Sequence, residues 1–120
     1  MRMLVNIFFL LNFLIEFLAF ITLVTAPNGI LAIGLGEQWS MHYGFAVLSI
    51  VSVSLWVWPY RYNLKIASVV FRVLLTFHVG LFFSLLIARD QFMGMILHTF
   101  LALFCFYLYV LRTKWCDHEV

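Results

Sequence analysis

Charged residues are scarce in this chain, and their scarcity limits what kind of protein it can be. Only 10% of its 120 residues are Asp, Glu, Lys or Arg, whereas a soluble domain carries about 25%. The formal net charge is +2, with no basic run and no glycine-rich phosphate loop. We therefore predict a membrane protein that binds no nucleic acid and has the lipid bilayer as its main partner.

Cysteine and proline are also rare, with two of each. Cys105 lies in an apolar run and Cys116 in the C-terminal tail, a spacing that forms neither a disulfide framework nor a zinc motif. The tail "WCDHEV" places Cys116, Asp117 and His118 in sequence, but adjacent side chains chelate one ion poorly. We therefore predict no metal site. Both prolines fall in breaks between apolar runs.

Hydrophobic residues make up 66% of the chain, and they are concentrated in four runs. Each run has the length, about 20 residues, that a helix needs to cross a hydrocarbon core. The runs cover residues 4–25, 41–59, 66–88 and 92–111, separated by "APNG", "PYRYNLK" and "RDQ". Short connections make consecutive helices antiparallel neighbours. We predict one all-α domain over residues 1–120, an antiparallel up-down bundle of four transmembrane helices.

The first run could also be a secretory signal peptide, because Arg2 precedes it and "VTA" before Pro27 resembles a cleavage site. However, the run is longer than a signal core, it contains Glu16, and a proline follows the supposed cut. We therefore predict a retained transmembrane helix.

The distribution of lysine and arginine predicts the orientation of the helices. One side of the membrane carries five of these residues in its loops and ends, whereas the other carries only Arg89. The five are Arg2, Arg61, Lys65, Arg112 and Lys114. This bias predicts that the N and C termini are cytoplasmic. We expect the membrane to be a bacterial inner (plasma) membrane.

Four ionisable residues fall in the outer half of the predicted bundle. At about 1.5 Å of rise per residue, Glu16 lies roughly 13 Å, His78 roughly 15 Å and His98 roughly 9 Å from the outer end of its helix. His42 lies at the outer mouth of the second helix. We therefore predict an outward-facing polar pocket within the membrane, formed by residues of all four helices.

Helical phase adds further residues to this pocket. Asn12 shares a face with Glu16, and Arg89 lies above His78 at the rim. On the second helix His42 shares a face with Ala46 and Ser49, and we expect such polar faces to turn toward the bundle interior. The candidate ligand-binding residues are Asn12, Glu16, His42, His78, His98 and Arg89, with no catalytic residue among them. A purely structural role in helix–helix hydrogen bonding stays open for each.

Three stretches carry a resemblance to a known family. They are "TAPNGI…GLGEQW" after the first helix, "MHYGFAVLSI" opening the second and "TFHVGLFFSLLIARDQFMGMILHTFLALF" over the last two. In these the chain resembles the small four-helix DoxX-like membrane proteins. The resemblance implies an association with quinone-linked oxidoreductase complexes or with the assembly of other membrane proteins.

The leading functional prediction is a non-enzymatic accessory subunit or a binder of a quinone- or lipid-like amphiphile. A proton-coupled small-molecule transporter using Glu16 is the alternative, although the bulky "LIEFLAF" differs from the small residues around the carboxylate of small multidrug resistance proteins. A b-type haem between His78 and His98 is disfavoured by their difference in depth. No serine or cysteine sits beside a plausible base, which argues against an enzyme.

Two further predictions concern surroundings of the pocket. The connection "APNGILAIGLGEQWS" is too apolar for a solvated loop, so we expect it either to cover the pocket as a lid or to lie flat on the membrane. Because so little of the chain lies outside the bilayer, we also expect a homo-oligomer or a partner membrane subunit.

Overall fold

The computed structural model describes residues 1–26, 37–89 and 91–117. These residues form four α-helices, which are α1 (Arg2–Thr25), α2 (Glu37–Val57), α3 (Leu64–Ala88) and α4 (Phe92–Val110), with 3-10 turns at Trp58–Tyr60 and Arg112–Lys114. The all-helical prediction is confirmed for this part of the chain. The largest boundary difference is at α2, which begins four residues before the predicted start at position 41. The connection predicted either to cover the pocket as a lid or to lie flat on the membrane falls largely outside the described residues.

Three of the helices are long and apolar enough to cross a membrane, namely α1, α3 and α4. The shorter apolar stretch of α2 covers Ser40–Trp56. The prediction of membrane-spanning length is therefore met by three helices, while α2 has a shorter apolar segment than expected.

The connection between α2 and α3 follows from two residues. Pro59 lacks a backbone N–H and disfavours helical geometry at the residue before it, so α2 ends at Val57 and a 3-10 turn follows. Asn63 then caps α3, since its side-chain oxygen accepts hydrogen bonds from the backbone N–H groups of Lys65 and Ile66 at 3.1 and 3.0 Å.

α3 ends at a left-handed residue. Arg89 has a φ of 58° and its N–H donates to the carbonyl of Leu85 at 2.9 Å, which satisfies one of the last carbonyls of the helix. Glycine or asparagine is usual at such a position. An arginine there has a backbone cost that glycine would not have.

The chain divides into two compact units, one of Met1–Phe9 with Val57–Val120 and one of Leu10–Trp56. We call them the first and second unit. In the first unit α3 and α4 pack antiparallel: the Cys105 thiol donates to the carbonyl of Phe71 at 3.3 Å, and Leu85 lies against Gly94.

The core of the first unit is built from aromatic rings. Phe71 is fully buried and stacks on Phe8, with ring centroids 5.2 Å apart. Phe9 and Trp115 contact the same ring at 5.4 and 5.5 Å. The Trp115 Nε1–H donates to the carbonyl of Leu108 at 2.9 Å, so the segment after α4 is held against the helices by both packing and a hydrogen bond.

The second unit packs the later part of α1 against α2. Its core consists of Leu23, Val47 and Val51. The two helices approach closely at Gly44, where an added Cβ would lie 2.9 Å from Cγ2 of Val24. Nearby, the Ser40 hydroxyl donates to the carbonyl of Leu23 at 2.9 Å. Small residues on α2 therefore allow the close contact, as is common where helices associate in membranes.

Candidate functional site

Two of the predicted ligand-binding residues meet in the first unit. Nδ1 of His78 on α3 lies 3.1 Å from Nδ1 of His98 on α4. This distance is a hydrogen bond in which one ring donates and the other accepts. The two ring centroids are 5.3 Å apart. His78 is fully buried and His98 half-buried, so the pair lies inside the α3–α4 contact.

The sequence predicts that the two histidines differ in depth by about 6 Å, a value that assumes the last residue of α3 and the first residue of α4 to be level. The pairing corrects this prediction. His78 and Phe71 are seven residues apart on α3, as are their partners His98 and Cys105 on α4. In this antiparallel register the first residue of α4 lies level with Ser84 of α3. Ser84 is about 6 Å along the helix axis from the last residue of α3. The offset cancels the counted difference, so the imidazoles are level.

The surroundings of the pair are apolar. The ring of Phe77 presents an edge contact to both imidazoles, with centroids 5.2 Å from His78 and 6.0 Å from His98. One turn from His78, Leu74 is fully buried, and Leu101 is fully buried beside His98. A hydrogen bond in such a setting is stronger than in water, and an unsatisfied polar group there would be costly.

The direct contact also bears on the haem hypothesis. A haem ligated by both histidines places its macrocycle between the two rings. Rings joined by a hydrogen bond leave no space for it, so the described geometry does not fit a haem. The physical reason differs from the depth argument that the sequence provided.

Arg89 lies away from the histidine pair. It lines a surface cavity of about 170 Å³ at the turn between α3 and α4, together with Leu85, Leu86, Phe92 and Met95. Neither histidine lines this cavity, and Arg89 is about 16 Å of helical rise from His78. The cavity is apolar, with the Arg89 cation at its edge. That cation suits the charged end of an amphiphile.

The second unit holds Asn12 and Glu16 on one buried face of α1, with exposures of 0% and 1%. The Asn12 amide donates to the hydroxyl of Ser54 on α2 at 2.9 Å. Residues 10–56 contain no lysine or arginine. The carboxyl of Glu16 therefore belongs to a unit that offers it no permanently charged cation.

The prediction for the polar face of α2 is wrong. His42, Ala46 and Ser49 are exposed, whereas Ser40, Gly44 and Ser54 are buried. The reason is steric: the face of Gly44 admits α1 at close range, with atoms of Val24 and Leu23 at 2.9 and 3.1 Å from the position of an added Cβ.

Sequence reasoning missed two polar side chains that bind others. Ser54 was overlooked, although it continues the series Ser40, Gly44, Val47 and Val51 at alternating steps of four and three, which is the signal for one helix face. Asn6 was also missed. Its oxygen accepts hydrogen bonds from Arg61 Nε at 2.7 Å and from the Tyr62 hydroxyl at 2.9 Å.

Comparison with protein-family models, with curated proteins and with solved structures finds no match to this chain.

Proposed function

We propose that this chain is a small polytopic membrane protein that binds the polar head of a quinone- or lipid-like amphiphile through the His78–His98 pair. We further propose that it acts as an accessory subunit, as a homo-oligomer or beside a partner membrane subunit, in a bacterial inner membrane with both termini cytoplasmic. The resemblance to DoxX-like proteins supports a quinone as one ligand class in this proposal.

The observation that carries the proposal is the 3.1 Å contact between the two Nδ1 atoms. Each neutral imidazole has one donor and one acceptor nitrogen. The contact uses the donor of one ring and the acceptor of the other, so one of the two Nε2 atoms is a donor and the other an acceptor. A quinone carbonyl or a lipid hydroxyl can interact with such a pair.

The helices around the pair supply the apolar part of the proposed site. Phe77 touches both rings, and large hydrophobic residues near His98, such as Leu97 and Phe100, are exposed on the outside of α4. An amphiphile in the bilayer could lie along this surface with its head near the histidines. Most of the binding surface for such ligands is apolar, with few polar groups to fix their orientation.

A titration of a purified short-chain quinone against the protein in detergent tests the proposal. His98→Leu removes the pairing nitrogen, and we expect it to abolish saturable binding. Thr99→Val is the matched control, because the Thr99 hydroxyl donates within its own helix to the carbonyl of Met95; it should bind as the natural chain does. Equal binding by all three proteins would refute the proposed site, provided that their helical circular dichroism is unchanged.

Glu16 enters the proposal from the sequence, where its depth of about 13 Å is close to the 15 Å of His78. We propose that it also contributes to headgroup binding. A specific observation favours transport as a second candidate: the Glu16 carboxyl is 1% exposed, and proton relays of pumps and transporters use buried carboxyls in membrane helices.

Two variants of Glu16 separate these roles. Glu16→Gln keeps the shape and the hydrogen bonding but cannot titrate, and Glu16→Leu loses both. Proton-coupled transport into vesicles predicts that Gln abolishes activity in a folded protein. Headgroup binding predicts that Gln is tolerated far better than Leu. Unchanged folding, assembly and ligand content in Glu16→Leu would remove Glu16 from the site.

Cysteine-accessibility labelling in intact cells tests the orientation. A cysteine at Asn63 should be protected from an impermeant reagent, and a cysteine at Gln38 should be modified. Labelling at Asn63 from outside would reverse the proposed topology.

A further inference from the structure

Two arginines converge on Tyr109 near the end of α4. Nε of Arg72 on α3 donates to the Tyr109 hydroxyl at 2.8 Å. The guanidinium of Arg112 lies over the same ring, with its carbon 4.3 Å from the centroid, and its Nη1 donates to the carbonyl of Tyr109 at 2.9 Å. The carbon of the Arg72 guanidinium is 5.7 Å from that centroid. Both cations are thus fixed around one phenol.

Within the part of the chain that the structure describes, no carboxylate lies within ion-pair distance of either arginine, whereas Arg2 does pair with Asp117. Arg72 is exposed although it lies eight residues, or about 12 Å, beyond the first residue of α3. An exposed arginine this far along a membrane helix is costly unless it meets an anion or reaches the headgroups.

We propose that Arg72, Tyr109 and Arg112 bind the phosphate of an anionic phospholipid in the leaflet at this end of α3. The inference rests on the proposed membrane insertion but not on quinone binding. Arginine groups donate in forked pairs that match phosphate oxygens. Arg72 uses Nε for Tyr109, which directs its two Nη groups to other acceptors. The Tyr109 hydroxyl accepts from Arg72 and can donate its own proton to a phosphate oxygen.

The adjoining surface suits the acyl chains of such a lipid. Val79 lies two turns beyond Arg72 on the same face of α3 and is 37% exposed, and Phe106 lies one turn before Tyr109 on α4 and is 53% exposed. Two cations without a carboxylate partner among the described residues favour a lipid with net negative charge over a zwitterionic one, which would bring an ammonium group with its phosphate.

Native mass spectrometry of the detergent-purified protein, titrated with dioleoyl phosphatidylglycerol, tests the inference. We expect affinity to fall about fivefold for Arg72→Gln and again for Arg112→Gln, since each basic residue near a charged membrane contributes about that factor. Arg72→Lys keeps the charge without the fork and should lose less. Tyr109→Phe keeps the ring and should show an intermediate loss.

Lys114→Gln is the matched control, because it removes one exposed charge two residues from Arg112 without touching Tyr109. If Lys114→Gln loses as much affinity for the lipid as Arg72→Gln does, diffuse surface charge attracts the lipid and the proposed site is overturned. Equal affinity for dioleoyl phosphatidylcholine would overturn the preference for anionic lipid. Displacement of the lipid by inorganic phosphate at comparable concentration would make free phosphate the ligand and overturn the lipid proposal.

Two measurements keep the outcome interpretable. Thermal unfolding of each variant shows whether it is folded, and Arg72→Lys provides a charge-retaining version if Arg72→Gln is not. Carbonate extraction of membranes tests insertion itself, so that failed insertion is distinguished from failed lipid binding.

Discussion

The two units differ most in where their charge lies. All seven lysines and arginines belong to the first unit, and the second unit, residues 10–56, has none. In the first unit several cations have defined partners: Arg61 lies over the rings of Trp58 and Tyr62, at 4.2 and 4.5 Å from their centroids, and Arg2 lies over Tyr62 at 4.7 Å. Such contacts combine charge with a ring face.

The second unit uses close packing and hydroxyl or amide hydrogen bonds instead. Its two helices meet at Gly44 and are joined by the Asn12–Ser54 bond. The difference teaches that the two units stabilise their cores by different means: buried aromatic rings, with cations against ring faces, in the first unit, and an aliphatic core beside a glycine contact in the second, where the Phe20–Phe45 ring contact involves an exposed Phe45. Each can be removed separately.

The largest effect should come from the aromatic core of the first unit. Phe71→Ala removes a fully buried ring that contacts Phe8, Phe9 and Trp115, and we expect a loss of about 3–5 kcal/mol in the free energy of unfolding. The loss arises from packing contacts, which drive helix association in lipid. The free energy of unfolding is measured by denaturant titration. Phe106→Ala, at an exposed position, should reduce it much less. Equal losses would show that the core does not carry the stability of this unit.

The close contact in the second unit should give the next largest effect. Gly44→Ala places a methyl 2.9 Å from Val24 and 3.1 Å from Cβ of Leu23, and a β-branched valine has little rotamer freedom in a helix. We expect a loss of about 1–3 kcal/mol. Gly80→Ala is the matched control, because no atom lies within 4 Å of its added Cβ; it should be neutral or stabilise by up to about 1 kcal/mol. A stabilising Gly44→Ala would contradict the contact.

The amide bond of the second unit should contribute less. Ser54→Ala removes the acceptor of the Asn12 amide, with an expected cost of about 1 kcal/mol. A double-mutant cycle with Asn12→Leu should return a coupling of about 0.6 kcal/mol, typical of side-chain bonds between membrane helices. Thr22→Val is the control, since its hydroxyl bonds within α1 to the carbonyl of Leu18. Zero coupling would mean that the Asn12–Ser54 bond does not help to join α1 and α2.

How far the sequence could predict these features depends on the range of the forces involved. Helix positions follow from apolar runs and from local signals such as Pro59 and Asn63, which act within a few residues. The early start of α2 was missed because "EQWS" is polar, yet Ser40 finds its partner at Leu23, seventeen residues away. Propensity carries no information about such a partner.

The candidate site shows the same limit. The sequence identifies His78 and His98 as buried polar residues, but their separation depends on the level at which α4 begins, and that is set by packing against α3. On α2 two faces carried small or polar residues, and hydropathy favoured neither. The space available beside Gly44 decided which one is buried.

The smallest expected effect on stability concerns the exposed pair of Arg2 and Asp117 in the first unit, whose side chains are 53% and 66% exposed. Such pairs contribute about 0–1 kcal/mol, so Arg2→Gln should hardly change the free energy of unfolding.

The same variant should change the reactivity of Cys116. Burial, followed by the neighbouring Asp117 charge, raises the pKa of the Cys116 thiol to about 11. Since the thiolate is the reactive form, alkylation should be slow at neutral pH. Its rate should increase about tenfold for each unit by which the pH is raised toward that pKa.

The Arg2→Gln variant should change the alkylation rate of Cys116 in a defined direction. Arg2 lowers the pKa of Cys116, so its removal would slow alkylation if the tail kept its position. Arg2 also donates from Nε to the carbonyl of Trp115 at 3.2 Å, so its removal weakens the attachment of the tail. We expect faster alkylation at Cys116, measured by peptide mass spectrometry, because exposure outweighs the change in charge. Arg61→Gln removes a cation of the same region without a tail contact and should leave the rate unchanged. Slower alkylation in Arg2→Gln would mean that Trp115, through its ring contact with Phe71 and its bond to Leu108, holds the tail without help from the cation.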